Sequence, residues 1–392
     1  MEEKKESGAE LTTPQVVNKR SCDNMNANVE KKSETYNDSS IKLLEGIQVL
    51  TGRVALDAEQ LDKVVTDVVE ETKRVSLFVA KTMNQTLAEA KAMPAPVPLV
   101  EGLWNTNEIA CLFAPSGIGK SIYAMQLAAD IAEREKVLYF DFELSDYQTF
   151  LRYSDGDVVA TFPENLIRLS INQDTYEPSM METDNLIAEI EQEALDFGAK
   201  VIIIDNLTFL SSEVEKSATA IELMKRLMRL KHLRGWSVLM ICHTPKISED
   251  KILAPNNLMG SKQLYNFFDS VFSVGKIYGQ LYLIQHKFRT DIERYGRDNI
   301  ILLHKDKING FLQLVTDGYI TADELEDKEL MANMALLRKL QDAFGNRHVR
   351  EKEINPYFGS STQLSRAFKS DFWGDKLKKD DSGLYFINSA NT

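Results

Sequence analysis

The spacing of hydrophobic residues changes along this 392-residue chain, and each change marks an element or a boundary. Residues 1–40 are rich in Lys, Glu, Ser, Asn and Thr and hold hardly any large apolar side chains. Such a segment buries too little surface to offset its ordering entropy, which predicts a disordered tail. Beyond it, Ile47, Val54, Leu61, Val68 and Val75 recur every seven residues, with Leu50, Val64 and Phe78 three further on. That is the narrow apolar seam of a long helix, placed over residues 41–93. A seam of this width packs either on its own domain or on another subunit, and the sequence leaves both open. Pro94, Pro96 and Pro98 then end the helix and mark a linker.

From there the period shortens. Apolar runs at 109–113, 137–142, 166–171, 201–204 and 238–242 read as strands, and 121–133, 184–197 and 218–233 read as helices between them. Strand and helix in alternation predict an α/β fold, a parallel sheet flanked by helices. Closely spaced strands at 281–284, 300–303 and 311–314 predict an antiparallel edge extension, so that the core spans residues 94–320. Residues 321–392 read as a helix at 325–344, a short helix, a polar turn at 359–362, a second helix at 363–368 and a hairpin returning through 384–387. That order resembles a small winged-helix domain.

Composition narrows the class. With 43% hydrophobic and 27% charged residues the chain is an ordinary globular one. A net charge of −13 argues against nucleic acid bound over the whole surface. It leaves room for a local basic patch, and residues 331–392 hold ten Lys and Arg against seven Asp and Glu. No apolar run has the length of a membrane span, and the N-terminus lacks the basic-then-apolar order of a signal peptide. Cys22, Cys111 and Cys242 are far apart, with no spacing suited to zinc or to a disulfide framework. A cytoplasmic protein is expected.

The chemistry is concentrated at strand ends. Ala114, Pro115, Ser116, Gly117, Ile118, Gly119, Lys120 and Ser121 follow a strand and precede a helix that continues with Ile122. In that setting backbone N–H groups and a helix N-terminus converge on an anion. Lys120 reaches the β- and γ-phosphates of ATP and the Ser121 hydroxyl ligates Mg²⁺. Ala114 stands where the motif usually has its first glycine. Asp205 closes a run of four aliphatic residues, the placement of a Walker B carboxylate that holds Mg²⁺. Glu143, in the segment Asp141-Phe142-Glu143, is a candidate base for the attacking water, and Asp141 is its rival on the same face. His243 ends another apolar strand, where a side chain can sense the γ-phosphate. Lys287 and Arg289 alternate onto one face and suit stabilisation of a transferring phosphate.

Taken together, these elements resemble the RecA-type ATPases, above all the hexameric replicative helicases of the DnaB kind and the small plasmid RepA helicases. The resemblance covers residues 99–314. It implies that Glu143 activates water, that His243 is the sensor, and that Lys287 and Arg289 reach the γ-phosphate of a neighbouring subunit in a ring. Gly260 and Ser261 match the segment that leads through a helix to Asp269 and Ser270. It further implies single-stranded DNA held by loops at 206–217 and 244–260, the second carrying Lys246 and Lys251. The expectation is a Mg-ATP-hydrolysing ring ATPase acting on DNA, a RepA-like helicase, with duplex DNA a candidate ligand of the C-terminal domain through Arg366, Lys369, Lys376, Lys378 and Lys379. The alternative is an ATP-gated regulatory or scaffolding DNA-binding protein. A metabolic kinase fits less well, since nothing resembles an acceptor-substrate site.

Overall fold

The computed structural model describes residues 77–175, 177, 183–206, 217–245, 251–258 and 262–387. The chain divides into two compact units between Met93 and Pro94. The tail expected over 1–40 and most of the seamed helix expected over 41–93 lie outside the described residues. Within the first unit, α1 (Met83–Ala92) starts at a capping box: the Thr82 hydroxyl accepts from the Gln85 N–H, and the Gln85 side chain accepts from the Thr82 N–H.

The second unit opens with a short ribbon, β1 (Pro98–Val100) and β2 (Trp104–Asn105). It continues through β3 (Ile109–Ala114), α2 (Lys120–Ala132), β4 (Val137–Asp141) and α3 (Asp146–Arg152). A small hairpin of β5 (Ser154–Asp155) and β6 (Val158–Val159) precedes β7 (Leu166–Leu169), α4 (Thr183–Phe197) and β8 (Val201–Asp205). After α5 (Ser217–Arg234) come β9 (Ser237–His243), α6 (Lys262–Phe267), β10 (Ser270–Ile277), β11 (Gln280–Phe288), β12 (Ile300–Ile308) and β13 (Phe311–Ile320). Nine strands form one sheet in the order β13-β12-β11-β10-β3-β9-β8-β4-β7. Pairing is parallel from β10 to β7 and antiparallel from β10 to β13. The α/β fold with an antiparallel edge extension is therefore the one expected.

The central strands are apolar at nearly every position because both sheet faces are covered. Along β3, Ile109, Cys111 and Phe113 enter one cluster, while Ala110, Leu112 and Ala114 enter the other. Helix α2 covers the second face with Ile122, Leu127, Ala128 and Ile131. Helices α4 and α5 cover the first with Ile187, Ile190, Leu223 and Leu227. No helix among the described residues is long and apolar enough to cross a membrane.

Two expectations need correction beyond the sheet. The helix expected over 325–344 is two helices, α7 (Ala322–Glu326) and α8 (Lys328–Phe344). Asp327 separates them, its carboxylate accepting the N–H groups of Glu329 and Leu330 as the cap of α8. Ala322, Leu325 and Met331 pack into the sheet's first cluster, whereas Leu337 and Leu340 belong to a separate C-terminal one. Helix α8 thus carries side chains into both clusters. The appendage continues with α9 (Glu351–Phe358), α10 (Ser361–Ala367), α11 (Asp371–Lys376) and a hairpin of β14 (Leu377–Lys379) and β15 (Tyr385–Ile387). Helix α11 was not expected; Ser370 caps it, and Trp373 joins the C-terminal core.

Ile203 is wholly buried midway along β8. Ile203→Ala should therefore cost about 2–5 kcal/mol, read as a lower midpoint in urea unfolding.

Candidate functional site

The loop between β3 and α2 turns through Gly117 at φ 78° and Gly119 at φ 122°, a region of backbone space that disfavours side chains. Ile118 plugs into the second cluster and anchors the turn. Gly119 caps α2 with no side-chain bond, which leaves the helix's leading N–H groups open to an anion. Ala114 needs no glycine freedom: it is the last residue of β3, paired in register with His243, and its backbone is outside the positive-φ region. A β-carbon is tolerated there, and the loop keeps its shape.

Lys120 is 6% exposed, and its Nζ donates to the carbonyls of Ala114 at 3.2 Å and Pro115 at 3.3 Å. Burial lowers its pKa from the ordinary lysine value, opposed by the charges of Asp205 and Glu143. Asp205 ends β8 and is 2% exposed. Its Oδ2 accepts from the Tyr139 hydroxyl at 2.7 Å, and the Ser121 side chain also hydrogen-bonds to it. Burial raises its pKa above the usual carboxylate value, and the Ser121 and Tyr139 bonds work against that rise. Hydroxyl and carboxylate oxygens are the hard donors Mg²⁺ prefers, so Ser121 and Asp205 fit that ion.

The two acids of the β4 end separate by environment. Asp141 is 4% exposed, accepts the N–H groups of Glu143 at 3.1 Å and Leu144 at 3.0 Å, and pairs with Arg168 Nε at 2.9 Å. Its lone pairs are committed to shaping the turn. Glu143 lies beyond the strand, with its side chain 45% exposed. It accepts from the Asn206 amide, and its Oε1 is 3.7 Å from His243 Nε2. Its pKa is lowered, first by the neighbouring His243 imidazole and also by the charge of Lys120. Asn206 Nδ2 is 3.1 Å from the same His243 nitrogen, so one buried amide joins the ends of β8 and β9 to Glu143. Sequence reasoning placed Asn206 only at the start of an expected DNA loop and gave it no part in this cluster; its only signal was its place directly after Asp205. Thr244, after His243, is buried, and its hydroxyl has no partner among the described residues.

Lys287 and Arg289 are not brought to this cluster. Phe288 pairs with Ser270, and Ser270 pairs with Ala110, so the end of β11 lies level with the start of β3. The phosphate loop follows the other end of β3. Lys287 Nζ donates to the carbonyls of Tyr265 and Asn266, both at 3.3 Å, over the Tyr265 ring. Arg289 donates to Asp269 at 3.0 Å and to the Asn266 carbonyl at 3.0 Å, with its side chain half exposed. Of the expected DNA loops, residues 207–216, 246–250 and 259–260 lie outside the described residues, as does Ser261; these include Lys246 and Gly260. Lys251 is described and exposed, and the chain after it packs back through buried Ile252 and Leu253. In the appendage, Arg366 and Lys369 are exposed, whereas Lys378 bonds the Gly374 carbonyl and Lys379 covers the Tyr385 ring.

Residues 75–249 match the AAA domain family AAA_25. No curated protein matches the chain. A KaiC-like protein from the hyperthermophilic archaeon Pyrococcus horikoshii OT3 is similar among solved structures, at 13% identity and a TM-score of 0.39, over 54% of this chain and 91% of that one. The family match, the phosphate loop and the sheet around it support an ATPase of the RecA/P-loop type.

The contrast between the acids is testable by stability alone. Asp141→Asn should cost about 1–3 kcal/mol, because a buried ion pair and its turn are disturbed. Glu143→Gln should stay within about 0.5 kcal/mol of the parent in the same urea titration.

Proposed function

We propose that this chain is a Mg-ATP-hydrolysing, ring-forming cytoplasmic ATPase acting on DNA, a RepA-like helicase of plasmid or mobile-element replication or transfer. The observation that supports hydrolysis is the convergence of Lys120, Ser121, Asp205, Glu143, Asn206 and His243 at the loop-bearing ends of adjacent strands. In this reading the loop N–H groups and Lys120 hold the polyphosphate, and Ser121 and Asp205 hold Mg²⁺. Mg²⁺, when bound, offsets phosphate charge. Glu143, kept ionised by its neighbours, takes the proton of the attacking water. Asn206 and His243 fix Glu143 and register the γ-phosphate at the end of β9. Asp141 is already committed to Arg168, which supports Glu143 as the base.

The regulator reading has its own support in the exposed Arg366 and Lys369 of the C-terminal appendage, suited to duplex phosphates. ATPase assays with and without single-stranded DNA, run beside native mass measurement, separate the two. The helicase reading expects a ring whose turnover rises with single-stranded DNA. A rate indifferent to DNA would favour the regulator. Lys120→Ala should abolish hydrolysis and weaken nucleotide binding; Glu143→Gln should bind ATP without turning it over.

Because Lys287 and Arg289 sit at the sheet end away from their own loop, their action on phosphate requires another copy. An arginine supplied that way is worth on the order of 10³–10⁵ in rate. Arg289→Ala should assemble and bind ATP yet hydrolyse poorly. Mixing it with Lys120→Ala should restore part of the activity, since some interfaces then pair an intact loop with an intact arginine. Mixed rings that remain inactive would reject the role in trans.

A further inference from the structure

The antiparallel extension places a cation against the outer face of the phosphate loop. Strand β12 runs parallel to β10 in the sheet, and Lys305 lies beyond the Leu303–Leu281 pair, at the loop-bearing end. Its Nζ donates to the Gly117 carbonyl at 3.2 Å. Its Cε lies 3.2 Å from the point a β-carbon on Gly119 would occupy, so the side chain follows the loop's backbone closely. Lys305 makes no ion pair with a carboxylate among the described residues, and an ammonium has three protons to donate. Burial first, and then the charges of Arg152 at the end of α3 and Lys276 in β10, hold its pKa below the ordinary lysine value. A cavity of about 500 Å³ opens there, lined by Ser116, Gly117, Ile118, Lys276, Lys305 and Arg338. Arg338 is already paired with Asp317 at 2.9 Å, and an anion held by the loop would give the Lys305 ammonium a counter-charge.

We propose that Lys305 is a nucleotide contact supplied by the same subunit, its ammonium exchanging the Gly117 carbonyl for a phosphate oxygen of the ligand held by the loop. This rests on the reading of the loop as an ATP site and adds a second wall to it. Lys120, Ser121 and Asp205 approach from the β8 side of β3, and Lys305 approaches from the β12 side.

The test uses the full chain and two probes, fluorescent ADP in direct titration and pyrophosphate in competition with it. Lys305→Ala should weaken both by about ten-fold or more, the loss expected for one charge-assisted hydrogen bond, with the ligand-free melting temperature unchanged. Lys305→Arg should recover most of the affinity. Lys307→Ala is the control: that lysine is one turn of the strand further on, and its Nζ is tied to the carbonyls of Leu151 and Ser154. Equal losses in Lys305→Ala and Lys307→Ala would reduce the effect to net charge and overturn the assignment. So would wild-type affinity in Lys305→Ala, or weaker ADP binding with pyrophosphate competition intact, which would move the contact off the phosphates. Should Lys305→Ala melt early, Lys305→Met preserves the stem and puts the same question. A wild-type chain that binds neither probe would instead bring down the ATP-site reading, and this inference with it.

Discussion

A carboxylate buried at the end of an apolar strand is the constraint on which the rest of this molecule depends. Four aliphatic residues drive β8 into the middle of the sheet, and Asp205 is carried inside with them. An ionised carboxylate in that position is costly unless hydroxyls, cations or a metal ion surround it. The fold answers with Tyr139 from the neighbouring strand and Ser121 from the phosphate loop. Satisfying Asp205 therefore fixes where α2 begins relative to β8, and so where the open N–H groups of the loop point. Packing and chemistry are a single arrangement at this spot.

The same sheet divides its cations between two ends. Lys120 and Lys305 stand at the loop-bearing end, and Lys287 and Arg289 stand at the other. Strand direction accounts for this. Strand β11 is antiparallel to β10, so its C-terminal end returns to the start of β3, while β12 reverses again and delivers Lys305 to the loop. An extension of two further turns of chain thus supplies one cation to the subunit's own loop and leaves another pair facing away from it.

What was legible in the sequence was whatever local pattern alone determines. Strands β3, β8 and β9 are buried on both faces and read as unbroken apolar runs, and the loop after β3 declares itself through Gly117, Gly119, Lys120 and Ser121. Two-residue alternation put Asp141 and Glu143 on one face but could not separate them. Arg168, which occupies Asp141, comes from β7 and is 27 residues away. Asn206 was missed because its value lies in the register of three strands: an amide after Asp205 matters only once β4 and β9 bring Glu143 and His243 beside it. Lys305 was invisible for the same reason, since 188 residues separate it from Gly117. The break at Asp327 and the helix after Ser370 were local signals, both capping residues, hidden inside stretches whose apolar spacing suggested otherwise.

Asp269 shows how far this economy extends. Its buried carboxylate accepts the backbone N–H of Ile109 at 2.9 Å, Lys231 of α5 at 2.7 Å and Arg289 at 3.0 Å. The first of these bonds starts β3, the strand that ends at the phosphate loop. The second ties down the helix that covers one sheet face. The third holds Arg289 while half of its side chain still faces outward. The carboxylate is shared between two cations, so the guanidinium is oriented while half of its side chain stays exposed. A side chain held in this way loses little further rotamer freedom when it meets an anion, which is the condition for a preorganised phosphate contact. The residue that begins the loop-bearing strand is therefore bound to the same group that orients the arginine, at the end of the sheet away from the phosphate loop.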